Sequence, residues 1–363
     1  MVNNLFTYAT SELSQDAFLA WLFSHAIKGI NGCDQELTNC AKDFLNEFLF
    51  TDDKFKGREF WLTKAPERQF NKIDLLLTIK FNDEDKEYKV IIEDKTYTSE
   101  HSNQLERYKE AIESQDSSID EEHILCIYYK TGLQSNLDNV KKNKYNACVG
   151  KDVFEFFCNK KYSNIKNDIF QNYRSFVEYI SDQTDSWKNA DIEKWDYHAK
   201  NGFFAHLKDQ LNNLGYGCDY AFEYNPAGGE YVLYQDPDKN NPIKTNKGYA
   251  DYILEVEKTG LFQLYFQFVL KNNKLYFDIR VTPVDKNKTI TKPIRESLCL
   301  AKRWKNNNPF KKPDRYASKG KTMTLCRYST DWKNGDCVSN LKDLLYEYEK
   351  EIEKIREHDD ENN

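Results

Sequence analysis

Two strand-length apolar runs, each carrying an acidic residue and separated only by a short polar turn, constrain this chain more than any other feature. Residues 73–81 read IDLLLTIKF, residues 88–98 read YKVIIEDKTYT, and the polar stretch Asn82 to Lys86 lies between them. Alternating Ile, Leu and Val residues bounded by a polar turn describe a pair of β-strands in a hairpin or meander. Side chains along a strand point to opposite faces in turn, so Glu93 and Lys95 project to one face and Asp94 to the other.

The elements around this pair read as α/β. Apolar residues recur at helical spacing from Leu13 to Ile27 and from Gln35 to Phe50, and again from Glu100 to Glu113, where Leu105, Tyr108 and Ile112 share a face. A buried strand is expected at residues 123–130 (HILCIYYK) and a helix near residues 164–180. The order helix, hairpin strands, helix, strand is an α/β arrangement. The polar run Ser181 to Ala190 is the expected boundary between a first domain, residues 1–185, and a second, residues 186–363. The second reads as α+β. A helix covers Asn201 to Leu214, and strands at Tyr220–Tyr224 and Glu230–Tyr234 are joined by a turn at residues 225–229. A hairpin pairs Leu261–Leu270 with Lys274–Val281 through Asn272-Asn273, and an amphipathic helix spans Leu341 to Glu357.

Bulk properties narrow the function classes. At 363 residues, two domains can each bury a core, and 39% hydrophobic with 15% aromatic residues excludes a disordered chain. Nine cysteines occur singly with no C-x-x-C pair, which argues against a disulfide framework or a zinc or iron–sulfur site and for reduced thiols in the cytoplasm. No basic leader precedes an apolar stretch at the start, and no window holds the roughly 18 apolar residues of a membrane span. The net charge of −7 is unfavourable for a nucleic-acid protein, but what decides phosphate binding is where the charges lie.

Phosphodiester hydrolysis needs a metal ion to generate hydroxide and to neutralise the scissile phosphate, and such an ion needs hard oxygen ligands that converge. Carboxylates on neighbouring strands do this, and here they are Asp74 and Glu93. Lys95, on the face of Glu93, can orient the attacking water or stabilise charge on the phosphate.

Asp74 followed by Glu93-Asp94-Lys95 resembles the bipartite signature of the PD-(D/E)xK nucleases, whose shared restriction-endonuclease-like core is αβββαβ. Lys72-Ile73 stands where the motif has Pro. Gln104-Leu105-Glu106-Arg107-Tyr108 resembles the Q-x-x-x-Y motif of RecB-type relatives, and its Gln and Tyr share a helix face. The opening NLFTYATSELSQDAFLAWL resembles the start of a bacterial PD-(D/E)xK family linked to defence and mobile elements. The resemblance covers roughly residues 1–180. It implies Mg²⁺ or Mn²⁺ held by Asp74, Glu93, the carbonyl of Asp94 and the first-helix residue Glu12, with weaker claims for Gln15 and Asp16. It implies catalytic roles for Asp74, Glu93, Lys95 and Gln104, hydrolysis of DNA, and a nucleic-acid contact for Tyr108. A homo-oligomer or a defence-system partner protein stays open, and no membrane is expected.

In the second domain a basic stretch with interleaved rings includes Arg303, Trp304, Lys311, Lys312 and Arg315. Basic side chains can follow a phosphate backbone while rings stack on bases. A solvated loop of a Lys-rich protein explains the pattern equally well. His101 is a bystander or a phosphate contact. Two other functions fit the same residues: a catalytically idle nucleic-acid- or protein-binding module, and an RNase.

Overall fold

The computed structural model describes residues 3–30, 32, 34–98, 103–115, 119–221, 231–235, 253–256, 260–285, 287–291, 309–311, 319–328, 332 and 336–360. The chain forms two compact units, Met1–Gln183 and Thr184–Asn363.

The first unit begins with α1 (Leu5–Tyr8), α2 (Glu12–Ser24) and α3 (Gln35–Phe48). Asp34 caps α3 by accepting from the backbone N–H groups of Glu36 and Leu37, two of the donors that a helix start leaves without partners. Strands β1 (Phe60–Leu62), β2 (Glu67–Phe70), β3 (Ile73–Phe81) and β4 (Glu87–Lys95) follow, then α4 (Gln104–Gln115) and β5 (Ile124–Lys130). The unit is completed by α5 (Asp138–Lys142), β6 (Asn146–Val149), α6 (Lys151–Phe157) and α7 (Asp168–Asp185).

The sheet runs β1-β3-β4-β5-β6 with β2 also paired to β3. The β1, β2 and β4 pairings to β3 are antiparallel, whereas β4-β5 and β5-β6 are parallel, giving a mixed sheet. The period-two alternation of the strands divides the apolar side chains between two cores. Leu75, Leu77, Ile79, Val90, Ile92, Ile127 and Tyr129 pack with residues of α2, α3, α6 and α7. Leu76, Ile91, Cys126 and Tyr128 pack on the other face with Leu105, Tyr108 and Ile112 of α4. By this parity Asp74, Glu93 and Lys95 belong to the α4 face and Asp94 to the α2/α7 face.

The expected strand at residues 88–98 ends at Lys95, and the expected helix from Glu100 begins at Gln104, with residues 99–102, including His101, outside the described residues. The polar run from Ser181 is not a loop at its start, because α7 continues to Asp185 and a 3₁₀ turn follows at Ser186–Lys188. Helix α7 carries its apolar stripe through Val177 and Ile180, and the polar residues that follow extend its final turn.

The second unit comprises α8 (Tyr197–Asn213), a seven-stranded antiparallel sheet, a separate two-stranded sheet and two C-terminal helices. Its strands are β7 (Cys218–Ala221), β8 (Tyr231–Gln235), β9 (Ile253–Val256), β10 (Gly260–Lys271), β11 (Lys274–Pro283), β12 (Ile290–Thr291), β13 (Phe310–Lys311), β14 (Lys319–Gly320) and β15 (Met323–Tyr328). The separate two-stranded sheet is formed by β12 and β14. Helices α9 (Asp336–Ser339) and α10 (Leu341–Asp360) follow. The β10-β11 hairpin turns at Asn272 and Asn273, with φ of 51° and 55°, the left-handed pair that a two-residue type I′ turn requires. The turn expected at residues 225–229 lies outside the described residues. No helix among the described residues is long and apolar enough to cross a membrane.

Candidate active site

Pairing of Leu75 with Ile92 sets the register that brings the start of β3 beside the end of β4. There the Asp94 backbone N–H donates to Asp74 Oδ2 at 3.0 Å, which pins the first carboxylate to the second strand. Lys95 turns back toward its own strand. Its Nζ forms an ion pair with Glu93 Oε1, donates to the Asp94 carbonyl at 3.0 Å and lies 3.7 Å from Asp74 Oδ2. Two carboxylates and one main-chain carbonyl thus converge on a single cationic group.

Glu93 is fully buried, and apart from the Lys95 ion pair neither of its carboxylate oxygens has a hydrogen-bond donor. Burial, reinforced by the charge of Asp74, pushes its carboxyl up to about 8 despite the lysine. Burial works against the Lys95 ammonium, yet the charges of Glu93, Asp74 and Glu12 hold it above the ordinary lysine value.

On the opposite face of β4 the Asp94 side chain is wholly buried. Gln15 Nε2 donates to its Oδ1 and, at 3.2 Å, to the Lys95 carbonyl. Gln15 is itself approached by the hydroxyl of Tyr173 at 3.4 Å, and the ring of Tyr173 stacks on Phe18. Helices α2 and α7 therefore brace the end of β4 from behind. Asp16, also buried, is pushed up to about 6 by burial and the charge of Asp74, and Asp94 is raised by burial and Asp16.

A residue that sequence reasoning missed links these acids. Gln69 Nε2 donates to Asp74 Oδ1 at 3.2 Å and to Asp16 Oδ2 at 3.3 Å. Gln69 therefore fixes one Asp74 oxygen while the Asp94 N–H fixes the other. Nothing in the segment ERQF, which has no apolar alternation, marks it as part of a strand beside the acids.

An open cleft of about 470 Å³ lies over this arrangement, lined by Glu12, Asn71, Lys72, Asp74, Lys95, Gln104, Arg107 and Tyr108. Glu12, in the first turn of α2, reaches it across 86 residues of sequence, its Oε1 accepting from Thr98 Oγ1 at 2.9 Å. Gln104 also lines it, but its amide donates to the Tyr108 hydroxyl at 2.6 Å and so holds that ring rather than Lys95. Tyr108 packs its ring in the α4-face core and turns its hydroxyl to the cleft. Burial pushes the hydroxyl up to about 12, with Glu93 and Asp74 adding to the effect.

The donor set suits a hard divalent cation: carboxylate oxygens of Asp74 and Glu93 and the carbonyl of Asp94 already surround one positive group, and Glu93 has no other counter-charge. Among the described residues no three His, Cys, Asp or Glu side chains are grouped so as to hold a metal ion by themselves. In the second unit Lys311 is exposed on β13, whereas Arg303, Trp304, Lys312 and Arg315 lie outside the described residues.

A mixed sheet flanked by helices thus brings an acid, a Glu and a Lys together at the junction of two strands. The family model of the PD-(D/E)XK nuclease superfamily matches residues 3–201, and the chain belongs to that superfamily. No curated protein and no solved structure gives a significant match.

Proposed function

We propose that this chain is a metal-dependent nuclease that hydrolyses DNA phosphodiester bonds. The observation that carries the reading is the convergence of Asp74, Glu93 and the Asp94 carbonyl on the Lys95 ammonium, with Asp74 and Lys95 lining an open cleft. Those three groups would hold Mg²⁺ or Mn²⁺, with Glu12 as a further carboxylate on the cleft wall. The ion supplies Lewis acidity and a bound water of lowered pKa.

The remaining work falls to the chain. Lys95 donates to the attacking water or to a phosphate oxygen and offsets charge as it builds in the transition state. Its nearly complete burial strengthens that interaction, because water does not screen it. Gln69 and the Asp94 N–H hold Asp74 in one orientation. Gln104 and Tyr108, one helical turn apart, present an amide and a hydroxyl to the substrate, in keeping with the Q-x-x-x-Y resemblance.

DNA as substrate and a bacterial defence setting rest on the resemblance of the opening stretch and of the Gln104 to Tyr108 segment. The free thiols among the described residues accord with work in a reducing cytoplasm. For the second unit the reading is a substrate- or partner-binding role, supported by the basic, aromatic-interleaved stretch around residues 302–327.

The test offers plasmid, linear duplex, single-stranded DNA and RNA to the purified protein with Mg²⁺, Mn²⁺ or EDTA. Cleavage of DNA that needs the ion, and that is abolished by Asp74→Ala, Glu93→Ala or Lys95→Ala in folded protein, is the expected result. Cleavage of RNA alone would reassign the substrate. Binding without cleavage, even with Mn²⁺, would make the chain an idle binding module, and a wild-type rate in any variant would remove that residue from the mechanism.

A further inference from the structure

The turn joining β2 to β3 has just two residues, Asn71 and Lys72, because Phe70 pairs directly with Ile73. Both have left-handed backbone, with φ of 52° and 71°. That is the type I′ geometry, for which Asn followed by Gly is the unstrained choice, since a Cβ at the second position crowds the backbone. Here a lysine occupies the position where glycine fits best. Its local conformation does not favour it, so an explanation has to come from what the side chain reaches.

Lys72 is exposed and lines the cleft two residues before Asp74. Arg107, also exposed, lines the same cleft from α4, three residues after Gln104 and therefore on the same helical face. Among the described residues neither side chain is engaged in an ion pair. The chain carries a net charge of −7 and pairs many of its other lysines and arginines with acids. Apart from Lys95, which faces Glu93, the charged groups on the cleft wall are the acids Glu12 and Asp74 and these two cations.

We propose that Lys72 and Arg107 form a two-point clamp for backbone phosphates that flank the scissile one, so that the strand to be cut is gripped from two separate elements beside Asp74. The clamp rests on the nuclease reading and adds its substrate contacts. It also accounts for the turn: the residue that disfavours the I′ geometry is the one that places a cation beside the metal-binding carboxylate. Each cation displaces counterions from the nucleic acid on binding, so each should contribute its own increment to salt dependence.

The two substitutions Lys72→Gly and Arg107→Ala, alone and together, test this. Binding of a fluorescent DNA duplex is measured in Ca²⁺, in place of the catalytic ion, from 50 to 200 mM salt, alongside thermal melting and Mn²⁺ calorimetry. Each lost contact should lower the slope of log K against log salt by about 0.9, which over this four-fold salt range is about a 3.5-fold change in the salt response. Lys72→Gly should melt at a higher temperature than wild type, since glycine relieves the turn, and yet bind DNA more weakly. Mn²⁺ affinity should not fall in either variant, since each removes a positive charge from beside the ion.

If wild type cleaves DNA and the variants keep its salt slope, the clamp is wrong and the nuclease reading stands. If wild type neither binds nor cleaves nucleic acid, both are overturned together. Loss of Mn²⁺ binding in Lys72→Gly or Arg107→Ala would show that these residues shape the metal site, which also refutes the clamp.

Discussion

Without a bound metal ion the first unit should lose stability as pH rises from 5 to 8, and the effect can be sized from Glu93. Its carboxyl is pushed from the usual 4.5 up to about 8 by burial and by the charge of Asp74. A group whose folded value is raised stabilises the fold fully below its unfolded value, and that contribution is lost as pH rises through the folded value. The window here is therefore pH 4.5 to 8. At about 1.4 kcal/mol per pH unit the whole loss is about 5 kcal/mol, of which about 3.5 kcal/mol falls between pH 5 and pH 8. Asp16, raised to about 6, and the buried Asp94 act in the same direction. Lys95 is neutral to the comparison, because its raised value lies above 10.5 and its contribution is constant across the window.

A loss of this size is a large fraction of the roughly 5–15 kcal/mol that holds a domain folded. The assay equilibrates EDTA-treated protein in urea at pH 5 or pH 8, then applies a brief hydrogen-exchange pulse at one fixed pH. Protection of the β3 and β4 peptides is read by mass spectrometry, which isolates this unit from the other. With a urea slope of about 2 kcal/mol per molar, the midpoint at pH 8 should fall by about 1.5–2 M. Glu93→Gln should remove its own share, about 3.5 kcal/mol between pH 5 and pH 8, and leave that of Asp16 and Asp94. Mn²⁺ at a hundred times its dissociation constant should restore about 2.7 kcal/mol at pH 8. The same pH dependence in wild type and Glu93→Gln would refute the assignment of the effect to this carboxyl.

Two further outcomes follow from particular contacts. Gln69→Leu removes the donor shared by Asp74 and Asp16, and disruption of a group that orients the proposed metal ligand Asp74 should weaken Mn²⁺ binding by about 10–100-fold in calorimetry while the unit stays folded. In the second unit Arg327 makes a two-pronged contact with Asp278, at 2.7 and 2.9 Å, and the aspartate is almost wholly buried. Arg327→Ala strands that charge and should cost about 3–5 kcal/mol, seen as a lower urea midpoint for strands β11 and β15, whereas a change within about 0.5 kcal/mol would show the pair to be dispensable.

Several of these contacts were legible before any coordinates. Strand β3 has the limits that its apolar run sets, and β10 with β11 turns at Asn272-Asn273 as that dipeptide demands. Period two placed Glu93 and Lys95 on one face, and helical spacing placed Gln104 beside Tyr108. Strands β1, β2 and β6 were not legible, because three or four residues carry too little alternation to distinguish them from loop, and α6 is too short for helical periodicity to declare itself.

The sequence by itself determined which residues could do chemistry and which face of its own element each would occupy, because side-chain direction within a strand or helix follows from local backbone geometry. Only the tertiary structure decided what stands opposite them. Glu12 comes to the cleft from 86 residues away, Gln15 reaches Asp94 across 79, and Gln69 spans Asp16 and Asp74. Those distances are closed by the burial of two cores on the two faces of one sheet, a condition on the whole unit that no short window of residues contains.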